Sequence, residues 1–329
     1  GEASAALSAC LCAEAVCCPA LHGLFLSAVP ARALDYRAMK AALAPIRPLI
    51  AATEEQAERF LTKKARKRFL QTAGRLFLVL TFIEDGLRIF LRWSEQYSYM
   101  TGRMGFGGIV GTCILLISAA MQLGGSFLVI RPATLGPSRV KPASYTLLIF
   151  VAIQPFMYGQ ATDLDFMCRS ITLAGGFLLL IFAENEKRQM EEERGLLMGE
   201  KNQGADRLQL AGRLLLTFIF FFQAIHSESG GLHSVLTNPN GFNILLSLLL
   251  LSLSLMVCVG FKTEWSSLVL TVLLGISNVW MYPFWRVHTR LVDYYKYYFF
   301  QTLSVMGGLM LLTLHGPGGL SLDGQKKSL

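Results

Sequence analysis

Apolar runs long enough to cross a bilayer recur along this chain, separated by short charged connections. From Gly105 to Ile130, for example, no charged residue occurs. Inside lipid no water satisfies backbone N–H and C=O groups, so a crossing segment is a helix or part of a closed barrel. The runs here are continuous rather than alternating, and roughly 20 apolar residues suit a spanning helix. Composition agrees: the chain is 53% hydrophobic and 16% charged, against about 25% charged in ordinary soluble domains. The fold class expected is an all-α polytopic membrane protein.

Eight spans are expected, at about residues 74–92, 105–130, 144–158, 166–183, 208–225, 242–261, 265–285 and 298–314. The third is short and contains Pro155. "GRLFLVLTF" from Gly74 returns as "GRLLLTFIF" from Gly212, and "RSITLAGGFLLL" from Arg169 returns as "QTLSVMGGLMLL" from Gln301. Offsets of 138 and 132 residues imply two tandem four-helix repeats. Four crossings are even, so both copies run in the same sense, about an axis along the membrane normal. The expected organisation is a poorly ordered leader (1–52), a first repeat with a preceding surface helix (53–183), a charged cytosolic linker (184–207), a second repeat (208–318) and a tail (319–329). Thr53 and Gln56 form a capping box for the surface helix. The paired glycines at 175–176 and 307–308 read as close-packing devices.

Sixteen Lys and Arg residues fall on the face bearing the leader and five on the other, which puts both termini in the cytosol. The formal net charge of +8 follows from those connections and gives no reason to invoke nucleic acid. Cys10, Cys12, Cys17 and Cys18 crowd the leader without metal-ligand spacing, and the five histidines form none either. No nucleophile–base pattern stands out, so neither catalysis nor a cofactor is expected.

One span breaks the apolar rule. "FIEDGLRIF" carries Glu84, Asp85 and Arg88, each costing roughly 2.5–3.5 kcal/mol at mid-span. Glu84 and Arg88 are spaced i,i+4 and are expected to pair; Arg169, in the fourth span, is the expected partner of Asp85. The second repeat places Phe222, Gln223 and His226 at the three charged positions and Gln301 at that of Arg169. The charges therefore belong to one repeat only. Arg75 and Arg213 match each other near the cytosolic ends, where snorkelling is expected. Two readings of the charged set remain: a network that only locks helices, or a lumen-facing site able to take up a free amine. His226 and His233 flank one lumenal loop and read as ordinary loop histidines, the alternative being a sensor of a drop in pH.

The chain ends in "KKSL", with Lys326 and Lys327 at the fourth and third positions from the carboxyl end. On a cytosolic tail this matches a dilysine signal, which is a receptor-read address. Together with "TFIEDGLRIFLRWSEQ", "SITLAGGFLLLIFAE", "GFKT" and "FFQTLSVMGGLMLLTLHGPGGLSLD", it makes the chain resemble the surfeit locus protein 4 family of endoplasmic reticulum cargo receptors. The likeness runs from about Thr53 to the carboxyl end.

The resemblance implies a receptor that binds soluble secretory proteins in the lumen through their amino termini and loads them into COPII vesicles. It would return from the Golgi through the COPI coat. Cargo contacts are then expected at Glu84 and Asp85, held ionised by Arg88 and Arg169, with Trp93 shaping the apolar part. Membrane lipid and a homo-oligomer are further expected partners. The competing class is a transporter or lipid-handling protein, since repeats around a polar midplane site are also transporter design.

Overall fold

A computed structural model describes residues 63–130, 139–193, 203–226, 241–287, 292–316, 318 and 321. The leader, the expected surface helix before Lys63, His233 and the Lys326/Lys327 tail lie outside these residues. The contacts below lie within the unit formed by residues 64–329.

Among the described residues all regular structure is helical, in nine elements: α1 Lys63–Leu91, α2 Trp93–Gly102, α3 Gly108–Ile130, α4 Val140–Met157, α5 Leu164–Glu193, α6 Gln203–His226, α7 Gly241–Val259, α8 Thr263–Met281 and α9 Val292–His315. Five are long and apolar enough to cross a membrane: α3, α4, Leu164–Gln189 of α5, α8 and α9. In α7 the apolar stretch Leu248–Val259 is shorter, and α1 carries the charged residues described above. The third expected span is a full eighteen-residue helix, because Pro142 sits in its first turn, where no N–H is missed, and Pro155 near its end.

Element ends differ from expectation at several places, most deeply where a charge is satisfied inside the protein. The basic run Lys63–Arg68 is the opening of α1 itself. The first span stops at Arg92, whose backbone (φ −124, ψ 43) leaves the helical region, and α2 follows as a short separate helix. α5 continues ten residues into the segment expected as linker, to Glu193. Glu184, 2% exposed, forms an ion pair there with Arg75, 4% exposed, and also accepts from Lys187 Nζ at 3.1 Å. The expectation that Arg75 and Arg213 snorkel is overturned: both are buried. Arg75 finds its counter-charge on a neighbouring helix. Arg213 lies against the turn after α7, where a Cβ on Gly260 (φ +78) would stand 2.7 Å from Arg213 Nη1. Only glycine fits that backbone and that contact, which accounts for the "GFKT" turn.

Two apolar cores hold the bundle. One joins α1, α3, α4 and α5 through Leu78, Phe82, Val129, Leu147, Phe150 and Phe177, and takes in Leu311 of α9. The other joins α6 to α9 through Leu216, Phe220, Val257, Leu270 and Leu309, and takes in Leu179 of α5. The contacts behind this exchange are matched. A Cβ on Gly307 would meet Gly74 O at 2.6 Å, and one on Gly175 would meet Gly212 O at 2.8 Å. Gly176 and Gly308 face each other, each Cβ position within 3.7 Å of the other's Cα. Ser304 Oγ spans the first of these interfaces, donating to Phe77 O at 3.0 Å and accepting from Thr81 N at 3.4 Å.

Candidate functional site

Glu84, Asp85 and Arg88 lie in the last turns of α1, and the structure divides them. Asp85 is buried and both its oxygens are engaged. Oδ1 pairs with Arg88, three residues on. Oδ2 accepts from Gln122 Nε2 of α3 at 3.2 Å and from Gln154 Nε2 of α4 at 3.5 Å. This carboxylate ties three helices together, and two neutral amides inside apolar spans exist to meet it.

Glu84 is different. It is half-buried and has no hydrogen-bond partner among the described residues. Arg88, Asp85, and Lys296 and Asp293 of α9 lie within electrostatic range. The expected Glu84–Arg88 pair is therefore corrected: Asp85, braced from α3 and α4, takes the guanidinium. The expected Asp85–Arg169 pair is corrected too. Arg169 Nε donates to Asp165 Oδ2 at 2.9 Å, one turn back on the same helix, and its guanidinium lies 4.4 Å from the Tyr298 ring centroid. A cation so engaged is at home in a buried position.

Tyr297 connects these two charged groups. It accepts from Gln301 Nε2 at 2.9 Å, stacks on Phe166 at 6.1 Å, and lies within electrostatic range of Asp85, Arg88 and Arg169. Around it the start of α9 supplies an aromatic wall: Tyr298 packs on Tyr294 at 4.5 Å and on Tyr282 at 5.5 Å. Arg92, just past α1, forms ion pairs with Asp293 and, at 3.5 Å, with Glu95. Trp93 packs on the apolar cluster of Ile89, Met100, Leu115 and Ala119, so its ring serves the α1–α2–α3 junction.

Sequence reasoning named Glu84, Asp85, Arg88 and Arg169 as candidates; the structure adds Gln122, Gln154, Asp165, Asp293, Lys296 and Tyr297 around them. Glutamines inside otherwise apolar spans were the available signal for the first two. Asp165, four residues before Arg169, was the signal for the third. Among the described residues no three His, Cys, Asp or Glu side chains converge as a metal site. What the cluster offers chemically is one under-coordinated carboxylate beside balanced ion pairs, with aromatic rings packed around Arg169.

Fold and site together define a polytopic helical membrane protein with a cluster of charged and polar side chains between its helices. The SURF4 family model matches residues 47–329, and the chain belongs to that family. It is 36% identical over 284 residues to the Surfeit locus protein 4 homolog of Drosophila melanogaster, covering 84% of this chain and 97% of that one. It is 32% identical to the Surfeit locus protein 4 homolog of Schizosaccharomyces pombe, covering 83% of this chain and 86% of that one. It is 29% identical to the ER-derived vesicles protein ERV29 of Saccharomyces cerevisiae, covering 79% and 78%. No solved structure matches.

Proposed function

We propose that this chain is a cargo receptor of the endoplasmic reticulum membrane, which binds soluble secretory proteins in the lumen by their amino termini. It loads them into COPII vesicles and returns from the early Golgi by a dilysine tail read by COPI. The names of its relatives support a role in traffic of vesicles from the endoplasmic reticulum. Eight crossings in two tandem copies are part of the same proposal, and the matched Gly74–Gly307 and Gly212–Gly175 contacts support it.

The observation that carries the docking step is the inequality of the two acids. Asp85 is saturated by Arg88, Gln122 and Gln154, whereas Glu84 has a carboxylate to spare. An ammonium at a chain's start carries three donors and one positive charge, and Glu84 is the group able to receive it. Asp85, Arg88 and Arg169 act as positioning residues, and the rings of Tyr294 and Tyr298 border the approach. Glu84 lies seven residues from the end of α1, about 10 Å by helix rise, so an extended amino terminus can reach it from the lumenal side. Each of the five candidate spans is unbroken helix, whereas transporter sites are typically built at discontinuous helices. This favours the receptor over the transporter.

The test uses crosslinking to a secreted protein in membranes carrying Glu84→Gln. Capture is expected to fall at least tenfold while the amount and location of the receptor stay unchanged. A synthetic amino-terminal cargo peptide should compete with cargo when its amine is free and fail when it is acetylated. Equal competition by the acetylated peptide would reject amine recognition.

A further inference from the structure

None of the residues of the charged cluster lines a second feature, an apolar recess at α3 and α4. A groove of about 540 Å³ runs between α3 and α4, within the roughly 300–1,000 Å³ typical of small-molecule sites. Gly125 packs against Leu147 at its floor, while a Cβ on Gly124 would meet nothing within 4 Å. Ala120 and Ile117 continue the open side and are exposed. Its length from Ile117 to Leu128 is about 16 Å along α3 by helix rise. Thr146 offers no spare donor, because its hydroxyl donates to Pro142 O at 3.0 Å within α4.

One charged group lines the groove. Arg139, at the head of α4, is exposed and has no hydrogen-bond or ion-pair partner among the described residues. Both flanking helices are long and apolar enough to cross a membrane, so the open side of the groove meets hydrocarbon rather than water. A slot that is apolar along its length and cationic at its outer end has the polarity of a phospholipid. Its guanidinium end sits at headgroup level, where anionic lipid is attracted by about 1 kcal/mol per basic residue, and guanidinium matches phosphate geometry.

We propose that this groove holds one anionic glycerophospholipid, with an acyl chain lying along Ala120, Gly124 and Leu128 and the phosphate on Arg139. The site shares no residue with the charged cluster and does not depend on the cargo reading. A bound chain there completes the surface between α3 and α4, which the side chains leave unfilled because Gly124 and Ala120 are small.

The experiment reconstitutes the full chain in phosphatidylcholine nanodiscs containing phosphatidylserine with a diazirine in one acyl chain, then maps the labelled peptides after illumination. Labels are expected to concentrate on α3 and α4 beside the groove. Arg139→Gln should reduce them roughly fivefold, the factor matching about 1 kcal/mol, and Gly124→Phe should remove them by filling the slot. Diazirine phosphatidylcholine should label the groove less and be indifferent to Arg139→Gln. Helical circular dichroism and monodisperse elution report folding; if Gly124→Phe fails them, Ala120→Met replaces it. Labels spread evenly over all lipid-facing helices, or unchanged labelling in Arg139→Gln, would overturn the proposal. So would crosslinks through this groove to a second copy of the chain, which would make it an interface between copies.

Discussion

Glu84 and Asp85 are neighbours in sequence and opposites in circumstance. Asp85 sits where α1 meets α3 and α4, and removing its charge leaves Arg88 without its partner. Losing one member of a buried pair costs about 3–5 kcal/mol. Arg88 keeps 24% side-chain exposure, so Asp85→Asn should cost about 2–3 kcal/mol, below or at the low end of that range. Gln122→Leu should cost about 0.6 kcal/mol, the average for hydrogen bonds between spans. Glu84→Gln should stay within about 0.5 kcal/mol of the parent. Unfolding titrations in mixed micelles would measure all three. An order in which Glu84 mattered most to stability would mean that it, too, is a structural tie and has no charge to offer cargo.

At the scale of helices, the glycine contacts carry the sharpest expectation. A methyl at position 175 or 307 would run into the backbone of the facing helix, whereas one at position 124 would enter open space. Gly175→Ala and Gly307→Ala should each destabilise the bundle by about 1–3 kcal/mol, as overpacking does; Gly124→Ala should change little. The same unfolding midpoints would show it.

Hydropathy located the helices well because lipid imposes one simple demand on a long run. It missed the end of α5, where a charge found its partner in the fold. Glu184 reads as the end of a span until Arg75, 109 positions away, is seen beside it. Likewise the acids of α1 could be identified from sequence alone, but not their division of labour. The deciding groups, Gln122 and Gln154, are neutral, lie on other helices and form no motif with them. The double change Arg75→Met with Glu184→Leu should recover most of the stability that Glu184→Gln alone loses, since apolar packing can replace a buried pair.

For the whole molecule, the proposed cycle makes the tail an address independent of the charged cluster. Changing Lys326 and Lys327 to Ser should shift the receptor towards the Golgi without altering cargo crosslinking, as fluorescence imaging beside the capture assay would show. A variant that remained in the endoplasmic reticulum would dissociate retrieval from this tail. Binding chemistry and itinerary are then separable by mutation, as expected of parts placed on opposite sides of a membrane.

Leu311 of α9 completes the first core and Leu179 of α5 the second, so each core borrows a stave from a helix of the other. During synthesis the first core therefore waits, with Gly74 uncovered, until α9 has left the ribosome. A product stopped short of Val292 would leave the opening helix unclasped and become prey for quality control, rather than persist as a working half.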